Sequence, residues 1–327
     1  MPHILVAGKI HEAGLERLRN APGVTFDLVE EVTTESYSPL LEKADGLLIR
    51  TQPMTAKEIA LAKSLKIVSR HGVGYDSVDV KALNERGIPL AVVGDVNSRS
   101  VAEHTLMMMM AVAKQALHHD ASIRQGNWGC RNAFSAVELS GHTLLLLGFG
   151  RIGQCVAQLA LPFGMQVMVY DPYHTEDFIR DKGCIPVSSI TEMLPEADFL
   201  SVHMPLIDGK ALIGKDELAL MKSTAIVVNT SRGGIIDEQA LCAALQEGRL
   251  GGAGLDVMVN EPPAADDPLL SCPRVLLSPH VAGLTQEAAM RMSVSAVENI
   301  LNCFSASLDP ALVVNASEIG YSCSEKS

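Results

Sequence analysis

Apolar residues recur in two rhythms along this 327-residue chain. Short apolar runs alternate with segments whose apolar positions fall three and four apart, the patterns of buried strands and amphipathic helices. In the first hundred residues the runs at 4–7, 46–49 and 66–69 read as strands, with helices near 12–18, 56–62 and 80–86. From Thr143 onward six more strands are expected, at 143–147, 166–170, 198–202, 225–229, 253–257 and 275–278. Such alternation builds parallel sheets with helices on their faces. Helical spacing through Val101, Leu106, Met109, Met110, Ala113 and Leu117 predicts one long helix from Ser100 to Ile123, bridging two domains. The Met107–Met110 run within it reads as core or interface filling. A last helix at 286–304 must return the chain to the first domain, because too few residues follow it to build another. The expected fold is α/β: two doubly wound, Rossmann-like domains with an interdomain cleft. One is discontinuous, at 1–98 and 286–327, and the other spans 99–285.

Composition narrows the class. A hydrophobic fraction of 47% against 20% charged residues supplies ample core and excludes a disordered chain. The formal charge of −12 argues against nucleic-acid binding, which needs a basic face. Seven scattered cysteines show no metal or redox spacing and suit reduced thiols, so no metal is expected. The amino terminus reads as a strand rather than a signal peptide, and the apolar stretch 106–113 is too short to span a bilayer. A soluble cytoplasmic protein without membrane contact is expected, with a mobile polar tail at 321–327.

The candidate chemistry begins at Gly148-Phe149-Gly150-Arg151-Ile152-Gly153, directly after the apolar run 143–147. Gly148 permits a tight turn, Gly150 lets a pyrophosphate approach the backbone, and Gly153 lets the next helix pack closely. The helix N-terminus then favours the anion. Asp171, about 20 residues on, ends the next strand where an acid binds ribose hydroxyls. Its charge would repel a 2′-phosphate, so NAD is expected rather than NADP. Three further residues follow strands of the same sheet: Arg232 in Asn229-Thr230-Ser231-Arg232-Gly233-Gly234, Glu261 in the segment after Asp256, and His280 in Ser278-Pro279-His280. A bidentate cation, a carboxylate and an imidazole are what hydride delivery to a 2-keto acid requires. The carboxylate favours the imidazolium that protonates the nascent alkoxide.

These segments, together with Arg70–Asp79, Asn97–Glu103 and Val202-His203-Met204-Pro205-Leu206, resemble the D-isomer-specific 2-hydroxyacid dehydrogenases, nearest the short phosphoglycerate-dehydrogenase-like branch. The resemblance implies that Arg232 binds substrate carboxylate and carbonyl, His280 is the general acid/base, and Glu261 orients and tunes it. It also implies cofactor contacts from the Gly148–Gly153 turn, with Arg151 and Ile152 at the pyrophosphate and Asp171 at the ribose. Asp256 would meet the nicotinamide carboxamide, and His203, Met204, Pro205, Thr230, His280 and Gly283 complete the NAD site. Backbone at Val73 and Gly74 would hold the substrate carboxylate. Ser77 replaces the usual Asn, Met258 a common aromatic, and 207–210 lacks the usual Pro and Thr. No regulatory extension follows the last helix, so serine control is not expected.

Arg50 and Arg70 stand where phosphoglycerate-type enzymes carry phosphate-binding arginines, which implies a substrate with a second anionic group. The alternative is a glyoxylate or hydroxypyruvate reductase, and a more distant one a dinucleotide-sensing interaction protein. The apolar helix around Leu106–Met110 and the family resemblance together imply a homodimer.

Overall fold

The computed structural model describes residues 1–31 and 33–322. The tail expected to be mobile, with Cys323, lies mostly outside them. The chain forms two compact units, Met1–Asn97 with the segment from Leu284 onward, and Ser98–Gly283.

In the first unit, strands β1 (His3–Ala7), β2 (Thr25–Val29), β3 (Gly46–Ile49), β4 (Ile67–Arg70) and β5 (Leu90–Ala91) form a parallel sheet in the order β2-β1-β3-β4-β5. Side chains alternate across it. Ile4 and Val6 join a core with the helices Glu12–Arg19 and Gln286–Phe304, whereas Leu5 and Ala7 pack with Tyr37, Leu41 and Ile59 on the other face. Both faces are covered, which is why the strands read as continuous apolar runs. Past the last helix the chain returns to the sheet edge, where Val313 bridges Ala91 antiparallel and the buried Asn315 receives the Leu90 amide. Strands β2 and β5 escaped the sequence reading. The first is a half-exposed edge strand without an apolar run, and the second has two residues.

The second unit holds β6 (Thr143–Leu147), β7 (Gln166–Tyr170), β8 (Ile185–Pro186), β9 (Phe199–Val202), β10 (Ile226–Asn229), β11 (Gly252–Leu255) and β12 (Val275–Leu277). Their order, β12-β11-β10-β9-β6-β7-β8, reverses direction between β6 and β9, the topological switch point where doubly wound sheets bind ligands. The two-residue β8 is a seventh strand that no apolar run announced.

The long helix expected over 100–123 is two helices, Ser98–Ala113 and Ala116–Arg124. Gln115 takes a left-handed conformation (φ 50°) between them, and its amide group bonds both the carbonyl and the hydroxyl of Ser135. A side-chain tie to a distant loop thus breaks a helix that apolar spacing alone would continue. The first helix belongs wholly to the second unit. Leu106, Met108 and Met109 are buried there, and Met108 lies so close to Gly254 that any Cβ on that glycine would crowd it. Apolar surface is left open at Met107 and, further on, at Leu117, Trp128 and Phe134.

Candidate active site

The glycine turn leaves β6 at the switch point. Gly148 has φ 98°, and a Cβ there would lie 2.6 Å from the His203 carbonyl. A Cβ on Gly153 would run into the carbonyl of Gly148, so the helix Arg151–Ala160 meets the strand end at a distance only glycine permits. Above Gly150 a Cβ would meet nothing within 4 Å. No side chain caps this helix, so its first amides face that open space and fit a pyrophosphate. His203 and Met204-Pro205 continue from β9 beside the turn, with the His203 amide bonded to Leu147 O at 2.7 Å. The His203 ring is enclosed: Nε2 meets Ser201 Oγ at 2.8 Å, Nδ1 has no hydrogen-bond partner, and burial pushes its pKa down to about 3. It is therefore a neutral imidazole.

Asp171 follows β7. One carboxylate oxygen accepts the Phe149 amide of the turn at 2.6 Å, and the other accepts Tyr173 N, His174 N and His174 Nδ1 at 2.8 to 3.1 Å. Burial works against its charge, but these bonds outweigh it and hold the carboxyl below its ordinary pKa. A full negative charge is fixed where the β7 end meets the glycine turn.

Arg232, Glu261 and His280 all come from the carboxyl side of the same sheet. Asn229 ends β10 and shapes the first loop: its Oδ1 accepts Ser231 N and Oγ, and its Nδ2 donates to Arg232 O at 2.8 Å. Arg232 itself donates from Nη1 to Ser231 O at 2.7 Å. Thr230, in the same loop, is buried against Thr105, with their hydroxyls 2.9 Å apart. Asp256 follows β11 and is almost fully buried. Its carboxylate accepts Ser278 Oγ, Val281 N and Ala282 N at 2.5 to 2.9 Å, while its carbonyl accepts His280 N at 2.8 Å. The turn just before Gly283 is thereby clamped on both sides of His280, whose own φ of 53° is unusual for a residue with a Cβ.

His280 Nδ1 lies 2.7 Å from Glu261 Oε2, and Glu261 Oε1 accepts the Met258 amide at 3.1 Å. Burial opposes the Glu261 charge. The His280 bond, the Met258 amide and the charges of His280 and Arg232 outweigh it, so Glu261 stays below its ordinary pKa. A carboxylate at Nδ1 fixes the N–H there and leaves Nε2 as the atom that exchanges a proton with a ligand. His104 stands on the helix Ser98–Ala113. It lies 3.0 Å from Ser278 Oγ and 3.6 Å from Asp256, behind the His280 turn. Neither its role nor that of Asn229 has a signal in spacing, because both act through loops that only folding brings together.

In the first unit Arg50 follows β3 and Arg70 ends β4, adjacent strands of that sheet. Arg50 is largely buried over Gly8 and donates to Lys9 O at 2.8 Å, while Arg70 Nη1 donates to His71 O at 2.6 Å. Burial first, then the Arg50 and Arg70 charges, push the intervening His71 down to about 3, so it is neutral. Val73 and Gly74 follow in the loop after β4. Among the described residues no group of three or more His, Cys, Asp or Glu is placed to hold a metal, and no helix is long and apolar enough to cross a membrane.

Similarity to known proteins runs along nearly the whole chain. D-3-phosphoglycerate dehydrogenase of Methanocaldococcus jannaschii is 38% identical over 302 residues, 92% of this chain and 57% of that protein, so the chain spans little more than half of that relative's length. Glyoxylate reductase of Korarchaeum cryptofilum is 35% identical over 95% of this chain and 96% of its own. The crystal structure of an NADPH-dependent glyoxylate/hydroxypyruvate reductase from Sinorhizobium meliloti superposes with a TM-score of 0.81 at 31% identity, covering 93% of this chain and 95% of that one. Residues 106–282 match the family described as D-isomer specific 2-hydroxyacid dehydrogenase, NAD binding domain. With its glycine turn, its parallel sheets and its relatives in agreement, the chain is a member of the D-isomer specific 2-hydroxyacid dehydrogenase family.

Proposed function

We propose that the protein transfers a hydride reversibly between NAD and C2 of a D-2-hydroxy acid or its 2-keto acid. The observation that carries this reading is the 2.7 Å contact between His280 Nδ1 and Glu261, which sets Nε2 free as proton donor to the alkoxide formed when hydride arrives. Bound NAD supplies the hydride. The Gly148–Gly153 turn and the helix that follows would hold its pyrophosphate and Asp171 its ribose, and Asp256, which clamps the His280 turn, would meet the nicotinamide carboxamide. Arg232 grips the substrate carboxylate and polarises the carbonyl, drawing charge away from C2 as the hydride adds. The fixed negative charge of Asp171 favours NADH over NADPH.

Arg50 and Arg70 are assigned to a second anionic group on the substrate, as in phosphoglycerate, with the Val73–Gly74 backbone at the shared carboxylate. A simpler substrate such as glyoxylate or hydroxypyruvate is the second reading, favoured because each arginine already spends a donor on a neighbouring backbone carbonyl. A panel of phosphohydroxypyruvate, hydroxypyruvate, sulfopyruvate and glyoxylate, followed by NADH consumption, separates the two. Absence of turnover on all four would overturn the dehydrogenase reading.

The protein is further inferred to act as a homodimer. Phe134 is 91% exposed and Trp128 66%, and a cavity of about 490 Å³ bordered by Val112, Leu117, Pro273 and Leu276 lies in the same unit. Apolar surface of this extent is normally covered by a partner. Light scattering at micromolar concentration should give twice the chain mass. A cytoplasmic setting is inferred with it, which the buried thiols of Cys184, Cys242 and Cys272 suit.

A further inference from the structure

Glu238 opens the helix Glu238–Gln246, one residue after its cap Asp237, whose side chain already takes the Ala240 amide. The helix therefore does not need Glu238 as a cap. Instead Glu238 Oε1 accepts the Val259 amide at 2.7 Å. The preceding amide, Met258, goes to Glu261. Two consecutive amides of one loop are thus each held by a carboxylate, and one of these, Glu261, continues to His280. The same backbone is pressed from a third side: a Cβ on Gly233, next to Arg232, would run into the Met258 carbonyl.

This arrangement costs stability. Burial above all, and then the charges of Asp267, Asp237 and Glu261, raise the Glu238 carboxyl above its ordinary pKa, opposed by the Val259 amide. A charge that its own surroundings disfavour is typical of residues kept for a site rather than for the fold.

We propose that Glu238 is a positioning residue, which anchors the Val259 amide so that Glu261 stays aimed at His280. The proposal rests on the roles assigned above to that pair. Releasing one anchoring bond, worth roughly a factor of ten, should let the 258–261 loop wander and the Glu261–His280 contact open. In Glu238→Ala, kcat for the best keto acid should therefore fall about tenfold, with KM and NADH affinity within about twofold of wild type. Glu238→Gln keeps an acceptor for Val259 and should restore most of kcat. It also removes the crowded charge, so it should melt at or above wild type at pH 8. The sign is fixed: a carboxyl with a raised folded pKa destabilises when ionised, so that gain disappears in acid, where it is protonated in both states.

A readout independent of turnover is the far-downfield proton signal of His280 Nδ1–H bonded to Glu261, assigned by its absence in His280→Ala. It should vanish in Glu238→Ala and persist in Glu238→Gln. If the alanine variant melts far below wild type, Glu238→Asp, which keeps the first-turn charge but is too short to reach Val259, serves instead and should behave like alanine. A downfield signal unchanged in Glu238→Ala or Glu238→Asp would overturn the proposal whatever the activity. So would a kcat loss that glutamine does not restore. Failure of the wild type to reduce any keto acid would count against the dehydrogenase reading alone, since the proton signal tests the anchor separately.

Discussion

Replacing Glu261 by Gln probes the site most sharply, because the two bonds of its carboxylate cannot both survive. In the wild type Oε1 accepts Met258 N–H and Oε2 accepts His280 Nδ1–H. A glutamine amide has one acceptor oxygen, so one of these donors must face an NH₂ group. A charge-assisted bond is worth ~1.5–3 kcal/mol, but the His280 and Glu261 side chains are 50% and 35% exposed, which discounts the pair toward ~1 kcal/mol. That corresponds to about a fivefold weaker hold of residue 261 on the His280 ring. Loss of the Met258 bond adds a comparable factor, so kcat/KM at pH 8 should fall roughly 5- to 30-fold. The alkaline limb of the pH–rate profile for keto-acid reduction should move toward lower pH than in the wild type, because a carboxylate no longer faces Nδ1. The acid side has a definite sign as well. Glu261 has a depressed pKa, so its stabilising partnership is present above the unfolded carboxylate pKa and is lost as pH falls through the lower folded value. The melting-temperature difference between wild type and variant should therefore be largest near neutrality and fade in acid. Steady-state NADH oxidation from pH 5.5 to 9.5 is the assay. A variant profile that is merely scaled down, with its limbs in place, would remove Glu261 from its assigned role.

His280→Ala should lower kcat by ~10²–10⁴-fold while NADH binding, followed by fluorescence titration, stays near wild type; comparable losses in both would make the histidine a structural residue. Asp171→Ala should narrow the preference for NADH over NADPH, since it removes a fixed charge that repels a 2′-phosphate. Equal use of both cofactors by the wild type would refute that assignment. Arg50→Met or Arg70→Met should cut kcat/KM for a dianionic substrate by roughly 10- to 150-fold and leave glyoxylate turnover nearly unchanged, as expected for a charge-assisted bond of ~1.5–3 kcal/mol. Equal losses on both substrates would point to support of the fold.

The apolar runs 143–147 and 166–170, buried on both faces, and the glycine turn between them were legible because their cause is local: close packing and tight turning dictate residue type directly. Glu261 and His280 could be singled out as candidates in the same way, by residue type after a strand. Their pairing could not, because a 2.7 Å contact across 19 residues depends on how two loops are clamped, by Asp256 on one side and by Glu238 and the Met258 amide on the other. Strands β2, β5 and β8 were invisible for a related reason, as short edge strands owe their conformation to a neighbour's hydrogen bonds rather than to their own hydrophobicity. The break at Gln115 shows tertiary structure overruling local preference: apolar spacing favours an unbroken helix, and a pair of bonds to Ser135 holds the left-handed residue that ends it. Sequence by itself determined the fold class, the dinucleotide turn and the types of the reactive groups. Only the folded chain decided which donors saturate each carboxylate, and hence which nitrogen of His280 is bound to Glu261 and which is not.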